Sequence, residues 1–469
     1  MKSLNTTYCL LVLMVLGTFL TSPLFGRDYS VLDYGALADG TSNDTKAVQT
    51  AINKCSESGG GRVIIPSGKV VLIGTIYLKD YVTLFVENGA TLKGSPDIND
   101  YTKDTHKNRY KNEPHMDRCL IYAENAKFFG IEGRGTIDGN GHPKFFNRKT
   151  GRPMLIRFLN CSNIQMRSIQ LINPAAWTSA WINCNEIVVE GIRIKSRVNH
   201  NGDGLDFDGC NNVMVSNCSF DTSDDSICLQ ASDPNGSCTD IVINNCIFES
   251  KWAGIRIGLL SRGDFERVNV TNCTFKNIKD SGLKIQMNEG GAMKNMTFSN
   301  MTMTNVPRPI FMTFCKQRAH VDAPEELSPM HYMGDMTFEN FQIDNRMVEK
   351  NAVIAMTGLP EGRIKNITLK NINMHIAGEE ASESLSKAEV KELTPDVLEG
   401  WWPEFRRLGG TLPASGIYLR HMEGVFMESV KLFTTNDDKR SPIVFDDVEN
   451  IDIHRCFVNG NKIEMTLTH

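Results

Sequence analysis

The chain has 469 residues, 41% of them hydrophobic, 22% charged and 8% aromatic, with a formal net charge of −5. That balance fits a folded soluble protein and argues against disorder. It lacks the Lys/Arg surplus that marks a nucleic-acid binder.

The first 26 residues read as a secretory signal. Lys2 precedes an apolar run from Cys9 to Leu20, and small and turn residues follow it to Gly26. The run is short for a membrane span and has the layout of a cleaved export segment. Residues 27–469 are then expected to form one mature, monomeric domain, periplasmic or extracellular, with no later membrane span.

Next comes SNDTKAVQTAINKCSESGGG, which predicts a short amphipathic helix capped near Asn43–Asp44 and ended by glycines. Beyond it the chain turns repetitive. Asn-Cys pairs recur at 160, 183, 217, 245 and 272, with spacings of 23, 28 and 27 between successive members of each series. The segments NVMVSNCSF, DIVINNCIF, RVNVTNCTF and NMTFSNMTM alternate with period two. Such a repeat predicts an all-β solenoid, a right-handed parallel β-helix whose coils stack at about 4.8 Å. The N-terminal helix would cap its open end. Twelve of the 13 cysteines follow the signal. Their shared context predicts one structural position filled by free, buried thiols rather than a set of bridges, and none has zinc spacing. The sequons at Asn160, Asn217, Asn272, Asn295, Asn300 and Asn366 fall in predicted turns and read as turn chemistry. Residues 377–412 break the pattern and read as a charged, helical excursion carrying Trp401 and Trp402.

The register follows from four segments: DGLDFD (203–208), DSICLQ (225–230), AGIRIG (253–258) and SGLKIQ (281–286), offset by 22, 28 and 28 residues. Their third and fifth positions are apolar and face the interior. Asp206, Cys228, Arg256 and Lys284 then form one outward column, and Asp208, Gln230, Gly258 and Gln286 the next, giving a groove that runs from acidic to basic. Asp203 and Asp225 share a column on adjacent coils, with Asp224 beside them. Crowded carboxylates raise at least one pKa, which leaves a proton donor next to an ionised base, the pair glycoside hydrolysis needs.

These residues carry a family resemblance. Asn201-Gly202-Asp203-Gly204-Leu205-Asp206 is similar to the Asn-Thr-Asp motif of the polygalacturonase-like glycoside hydrolases, glycoside hydrolase family 28, and Ser223-Asp224-Asp225 resembles their Asp-Asp motif. The opening YGALADGTSNDTKAVQTAI and GGGRVIIPSG resemble pectin-active β-helices more generally. The resemblance implies an inverting hydrolase of pectin-like, galacturonic-acid-containing glycan, without metal or cofactor. Asp224 would be the acid, with Asp203 and Asp225 activating water, the carboxyls roughly 6.5–9.5 Å apart. Arg256, Lys284, Asn201, His200 and Gln286 would bind substrate. Two departures stand out: the family's Gly-His-Gly falls on Trp252-Ala253-Gly254, and its Arg-Ile-Lys on Lys284-Ile285-Gln286. They imply a non-standard substrate, such as a terminal galacturonide or a rhamnogalacturonan-type linkage. Trp401, Trp402, Arg406, Arg407 and His421 would overhang the groove and favour exo action. The competing readings are a polysaccharide lyase, with Ca²⁺ on the carboxylates and Arg256 or Lys284 as base, and a non-catalytic β-helix that binds acidic glycan.

Overall fold

The repeated Asn-Cys pairs do not share one structural position but mark two corners of the coil: Ser162 aligns with Asn185, which puts Asn160 and Asn183 at one corner, whereas Ser219 aligns with Ile247 and Thr274, which puts Asn217, Asn245 and Asn272 at the next. In the computed structural model, which describes residues 27–105, 114–315, 331–379 and 383–463, Asn160, Asn183, Asn217, Asn245 and Asn272 hold left-handed backbone with φ between 51° and 56°. Asparagine tolerates that region better than most residues with a side chain. Its amide then bonds the equivalent amide one coil away. Asn300 Nδ2 donates to Asn272 Oδ1 at 3.0 Å, Asn340 to Asn300 at 3.0 Å, and Asn371 to Asn340 at 2.8 Å. The cysteine that follows points inward, and all twelve described cysteines are buried and free of disulfides. Every sequon asparagine shares the left-handed conformation, so these triplets do serve the turns. The predicted export segment, residues 1–26, lies outside the described residues.

Between the corners the strands stack. The described residues form 36 strands, paired parallel except for the last two, Phe457–Val458 and Asn461–Lys462. The architecture is a right-handed parallel β-helix, as the repeat predicts. Its interior holds ladders of like residues: Phe220, Phe248 and Phe275 stack with ring centroids 5.1 and 4.8 Å apart, and Phe298 stacks on Phe338 at 4.9 Å. Burying each such side chain is worth about 1.5–3 kcal/mol, repeated coil after coil.

The helix α1 (Thr45–Glu57) turns Ala47, Val48, Ala51, Ile52 and Cys55 onto the first coil. Gly59 and Gly60, both at positive φ, end it. Its start lies at Asn43–Asp44, as expected. Asn43 Oδ1 caps the Thr45 N–H at 3.0 Å, whereas the Asp44 carboxylate accepts from the Leu37 and Ala38 N–H groups and ties down the preceding loop.

Four strands carry the predicted register: β1 (Leu205–Asp208), β2 (Ile227–Ala231), β3 (Ala253–Ser261) and β4 (Ser281–Met287). Leu205, Ile227, Ile255 and Leu283 align, as do Asp206, Cys228, Arg256 and Lys284. The second column is interrupted: pairing between β2 and β3 slips after Leu229, and Gly258 bulges out at φ 95°, where a Cβ would meet Gln286 O at 1.6 Å. The first column continues past Lys284 through Phe311, Ala355 and Tyr418, so its polarity ends in an apolar patch.

The excursion at 377–412 docks on that patch. Val390, Leu393, Leu398, Phe405, Leu408 and Leu412 bury against Phe311, Ala355 and Tyr418 as a second small core. The predicted helical character is corrected. Among its described residues only Pro395–Leu398 is α-helix, with single 3₁₀ turns at Lys387–Glu389 and Phe405–Leu408. Pro395 starts the helix, Glu399 enters left-handed backbone to stop it, and Pro403 and the Gly409–Gly410 pair keep the rest extended or turned.

Candidate active site

The acidic cluster forms because two turns of adjacent coils are clamped together through their backbones. Gly202 and Gly204 permit the contact, since a Cβ on Gly202 would lie 2.6 Å from Ser223 Oγ and one on Gly204 2.2 Å from the Ser226 carbonyl oxygen. The Gly204 and Leu205 N–H groups donate to the Asp225 and Ser226 carbonyls at 3.0 Å. Asp203, on one turn, is thereby held over Asp224 and Asp225, on the next.

The carboxylates occupy different surroundings. Asp225 is buried; its Oδ2 accepts from Arg256 Nη1 at 3.0 Å and its Oδ1 from the Ala253 N–H at 3.1 Å. Asp203 is also buried, and its Oδ1 has no hydrogen-bond partner in the protein. Asp224 is the most open of the three; its Oδ2 accepts from Asn201 Nδ2 at 3.4 Å and its Oδ1 from the Asp225 N–H at 3.1 Å. Burial, followed by the charge of Asp225, pushes the Asp224 carboxyl up to about 7, with Arg256 opposing. Burial and then Asp224, Asp206 and Asp225 raise Asp203 well above the ordinary carboxylate range. Asp206 is raised in the same direction, first by burial. These groups interact closely enough to titrate as a unit, so the cluster retains a proton near neutrality.

A folded-state pKa above the unfolded value means stability is full at low pH and is lost as pH rises through the folded pKa. Asp206→Asn is therefore expected to melt no higher than the wild type at pH 4 but clearly higher at pH 8. A difference independent of pH would contradict the assigned burial of its charge.

Asp203, Asp224, Asp225 and Asn201 line one cavity of about 380 Å³, together with Arg148, Trp177, Cys228, Trp252, Arg256 and Leu259. Trp401, Trp402, Glu404 and Arg406 of the excursion also line it. Three of the predicted binding residues lie elsewhere. Lys284 is fully buried, its Nζ paired with Asp280 at 3.0 Å and with Glu404, and 4.9 Å from the Trp252 ring centre. Gln286 is fully buried too; its Oε1 accepts from Arg256 Nε and Nη2, and its Nε2 donates to Pro403 O. Both are covered because the excursion roofs the column that the sequence reading left open to solvent. The His200 side chain is exposed and off the cavity wall, although its backbone carbonyl accepts from Arg152. His421 bonds Asp447 at 2.6 Å and Glu392 at 3.2 Å and anchors the excursion away from the cavity. Arg407 lies over the Trp401 ring, 6.0 Å from its centre.

Several residues escape the sequence reading. Arg152, fully buried, donates Nη2–H to Asn201 Oδ1 at 2.8 Å. A guanidinium cannot accept, so this bond turns the Asn201 amide nitrogen toward Asp224. Arg152 also donates to His115 Nε2, whose pKa burial and that cation push down to about 4. Cys228 stood in the predicted column without a role. Its thiol lies 3.7 Å from Asp225 Oδ2 and 3.9 Å from Asp203 Oδ2, and burial first, then the carboxylates, raise its pKa so that it remains a neutral donor. Asp203, Asp225 and Cys228 bring one ligand atom each within 4.8 Å of one another, but Arg256 already supplies positive charge to Asp225.

The chain is similar to several known proteins. The model of glycosyl hydrolases family 28 matches residues 55–392. A probable polygalacturonase of Vitis vinifera is 25% identical over 400 residues, 78% of either chain. An exo-poly-alpha-D-galacturonosidase of Dickeya chrysanthemi is 27% identical over 249 residues, 42% of this chain and 41% of its own. Among solved structures, the family 28 exopolygalacturonase of Yersinia enterocolitica superposes with a TM-score of 0.69 at 21% identity, covering 91% of this chain and 78% of its own.

Proposed function

We infer the reaction from the premise that the chain belongs to glycosyl hydrolases family 28 and is a glycosidase. It hydrolyses, with inversion, a bond in pectin-like glycan that contains galacturonic acid, and it acts at a chain end. One observation carries the chemistry: Asp224, lifted to about 7, faces the cavity beside two further carboxylates. Asp224 gives its proton to the glycosidic oxygen as the C–O bond breaks. Water held by Asp203 and Asp225 attacks the anomeric carbon from the opposite face, and its proton passes to Asp225, the carboxylate paired with Arg256. The unpartnered Asp203 Oδ1 is an acceptor suited to that water.

Pectic substrate is supported by the polygalacturonase of Vitis vinifera and the enzyme of Dickeya chrysanthemi. Action at chain ends is supported by the wall that Trp401, Trp402 and Arg406 add to the cavity, and by the exo activity in the names of the Dickeya and Yersinia proteins. The lyase alternative loses the two bases it named: Lys284 is sealed between Asp280 and Glu404, and Arg256 is paired with Asp225. Incubation with a panel of pectic oligosaccharides in EDTA, read by mass and ultraviolet absorbance, is expected to give saturated products that carry one added water. Unsaturated, absorbing products would contradict hydrolysis.

A further inference from the structure

The excursion does more than wall the cavity: it brings a buried anion to the cations of the groove. Glu404 is 4% exposed, and its Oε2 pairs with Lys284 Nζ. Its Oε1 lies 3.6 Å from Arg256 Nη2, too long for a hydrogen bond, and has no hydrogen-bond partner although Glu404 lines the cavity. Charges in this cluster match one for one. Arg256 pairs with Asp225 at 3.0 Å, Lys284 with Asp280 at 3.0 Å, and Arg308 with Asp280 at 2.8 Å, so three cations meet the three carboxylates of Asp225, Asp280 and Glu404.

We propose that the sugar seated against Arg256 and Glu404 is a neutral one, selected by the Glu404 carboxylate, so that the preferred bond joins a uronic acid to a neutral sugar rather than two uronic acids. A uronate carboxylate at this place would be an extra anion against an Arg256 that already faces Asp225 and Glu404, beside the catalytic aspartates, and like charges brought together out of water are strongly unfavourable. A sugar hydroxyl instead satisfies the buried Glu404 Oε1, whose lack of a partner is costly until a donor arrives. Arg406, exposed at the cavity edge, offers a cation to a uronate farther along the chain. The inference rests on the hydrolase reading above and specifies its substrate.

The test is to digest defined pectic oligosaccharides with the wild type and with Glu404→Gln, identifying the sugars on both sides of each cut bond. The set comprises oligogalacturonides, their carboxyl-reduced counterparts, and oligomers that alternate uronate with neutral sugar. The wild type is expected to cut bonds with a neutral sugar on one side, favoured at least about tenfold in kcat/KM over uronate–uronate bonds. Glu404→Gln keeps the side-chain shape and removes one anion, so it is expected to narrow that ratio several-fold. Preference of the wild type for uronate–uronate bonds would overturn the inference and leave the hydrolase reading intact. So would an unchanged ratio in folded Glu404→Gln. No cut bond in any oligosaccharide would overturn both. Wild-type mapping decides even if the variant does not fold.

Discussion

Replacing Asp224 by Asn is expected to lower kcat by a factor of about 10²–10⁴, the range supplied by a positioned general acid, while the coil stays folded. The amide keeps the volume of the carboxyl and can still accept the Asp225 N–H that Asp224 Oδ1 accepts at 3.1 Å. It cannot deliver a proton to a leaving oxygen. The loss therefore falls on substrates whose leaving group needs protonation, and a substrate with an acidic phenol as leaving group is expected to lose far less. The wild-type rate should also fall on the alkaline side of about pH 7, where Asp224 releases its proton, and the variant should lack that limb. Turnover of a natural oligosaccharide within tenfold of the wild type, with an unaltered pH profile, would remove Asp224 from the acid role.

Replacing Arg256 by Met is expected to cost about 3–5 kcal/mol of stability together with activity, because it strands a buried charge. The guanidinium meets Asp225 through Nη1 and Gln286 through Nε and Nη2, and it approaches Glu404. Removing it leaves Asp225, 1% exposed, without its ion pair. Arg256→Lys should recover part of the loss, since an ammonium restores the charge but not the fork. Combining Arg256→Met with Asp225→Asn should recover stability without activity, a coupling that only directly interacting residues show. Denaturant unfolding of the wild type, Arg256→Met, Arg256→Lys, Asp225→Asn and the double variant checks this. A cost below about 1 kcal/mol for Arg256→Met would mean that solvent reaches the pair.

The coil register was legible because strand geometry has a strict period. Leu205, Ile227, Ile255 and Leu283 had to face inward, which placed Asp206, Cys228, Arg256 and Lys284 in one outward column without further information. The meeting of Asp203 with Asp224 and Asp225 followed from the same arithmetic. What covers that column was not legible. Phe311, Ala355 and Tyr418 look like ordinary strand residues, yet they form the apolar end on which the excursion docks. Docking brings Glu404 onto Lys284 across 120 residues of sequence, a separation no local period reports. The same roof changed Lys284 and Gln286 from groove residues into its anchors. Arg152 was hidden for a related reason: it comes from another part of the solenoid, 49 residues before the Asn201 that it orients. The excursion itself looked helical because its charged and leucine residues are good helix formers, and Pro395, Pro403, Gly400 and the Gly409–Gly410 pair overrode them.

The measurement that tests the central claim most directly is the anomeric configuration of the first product, followed by proton NMR during turnover of a cleaved oligosaccharide in metal-free buffer. An acid at Asp224, acting opposite a water held by Asp203 and Asp225, predicts that the new reducing end appears first in the inverted configuration and then mutarotates. A first product of retained configuration would contradict it, since one of these aspartates would then attack the sugar itself.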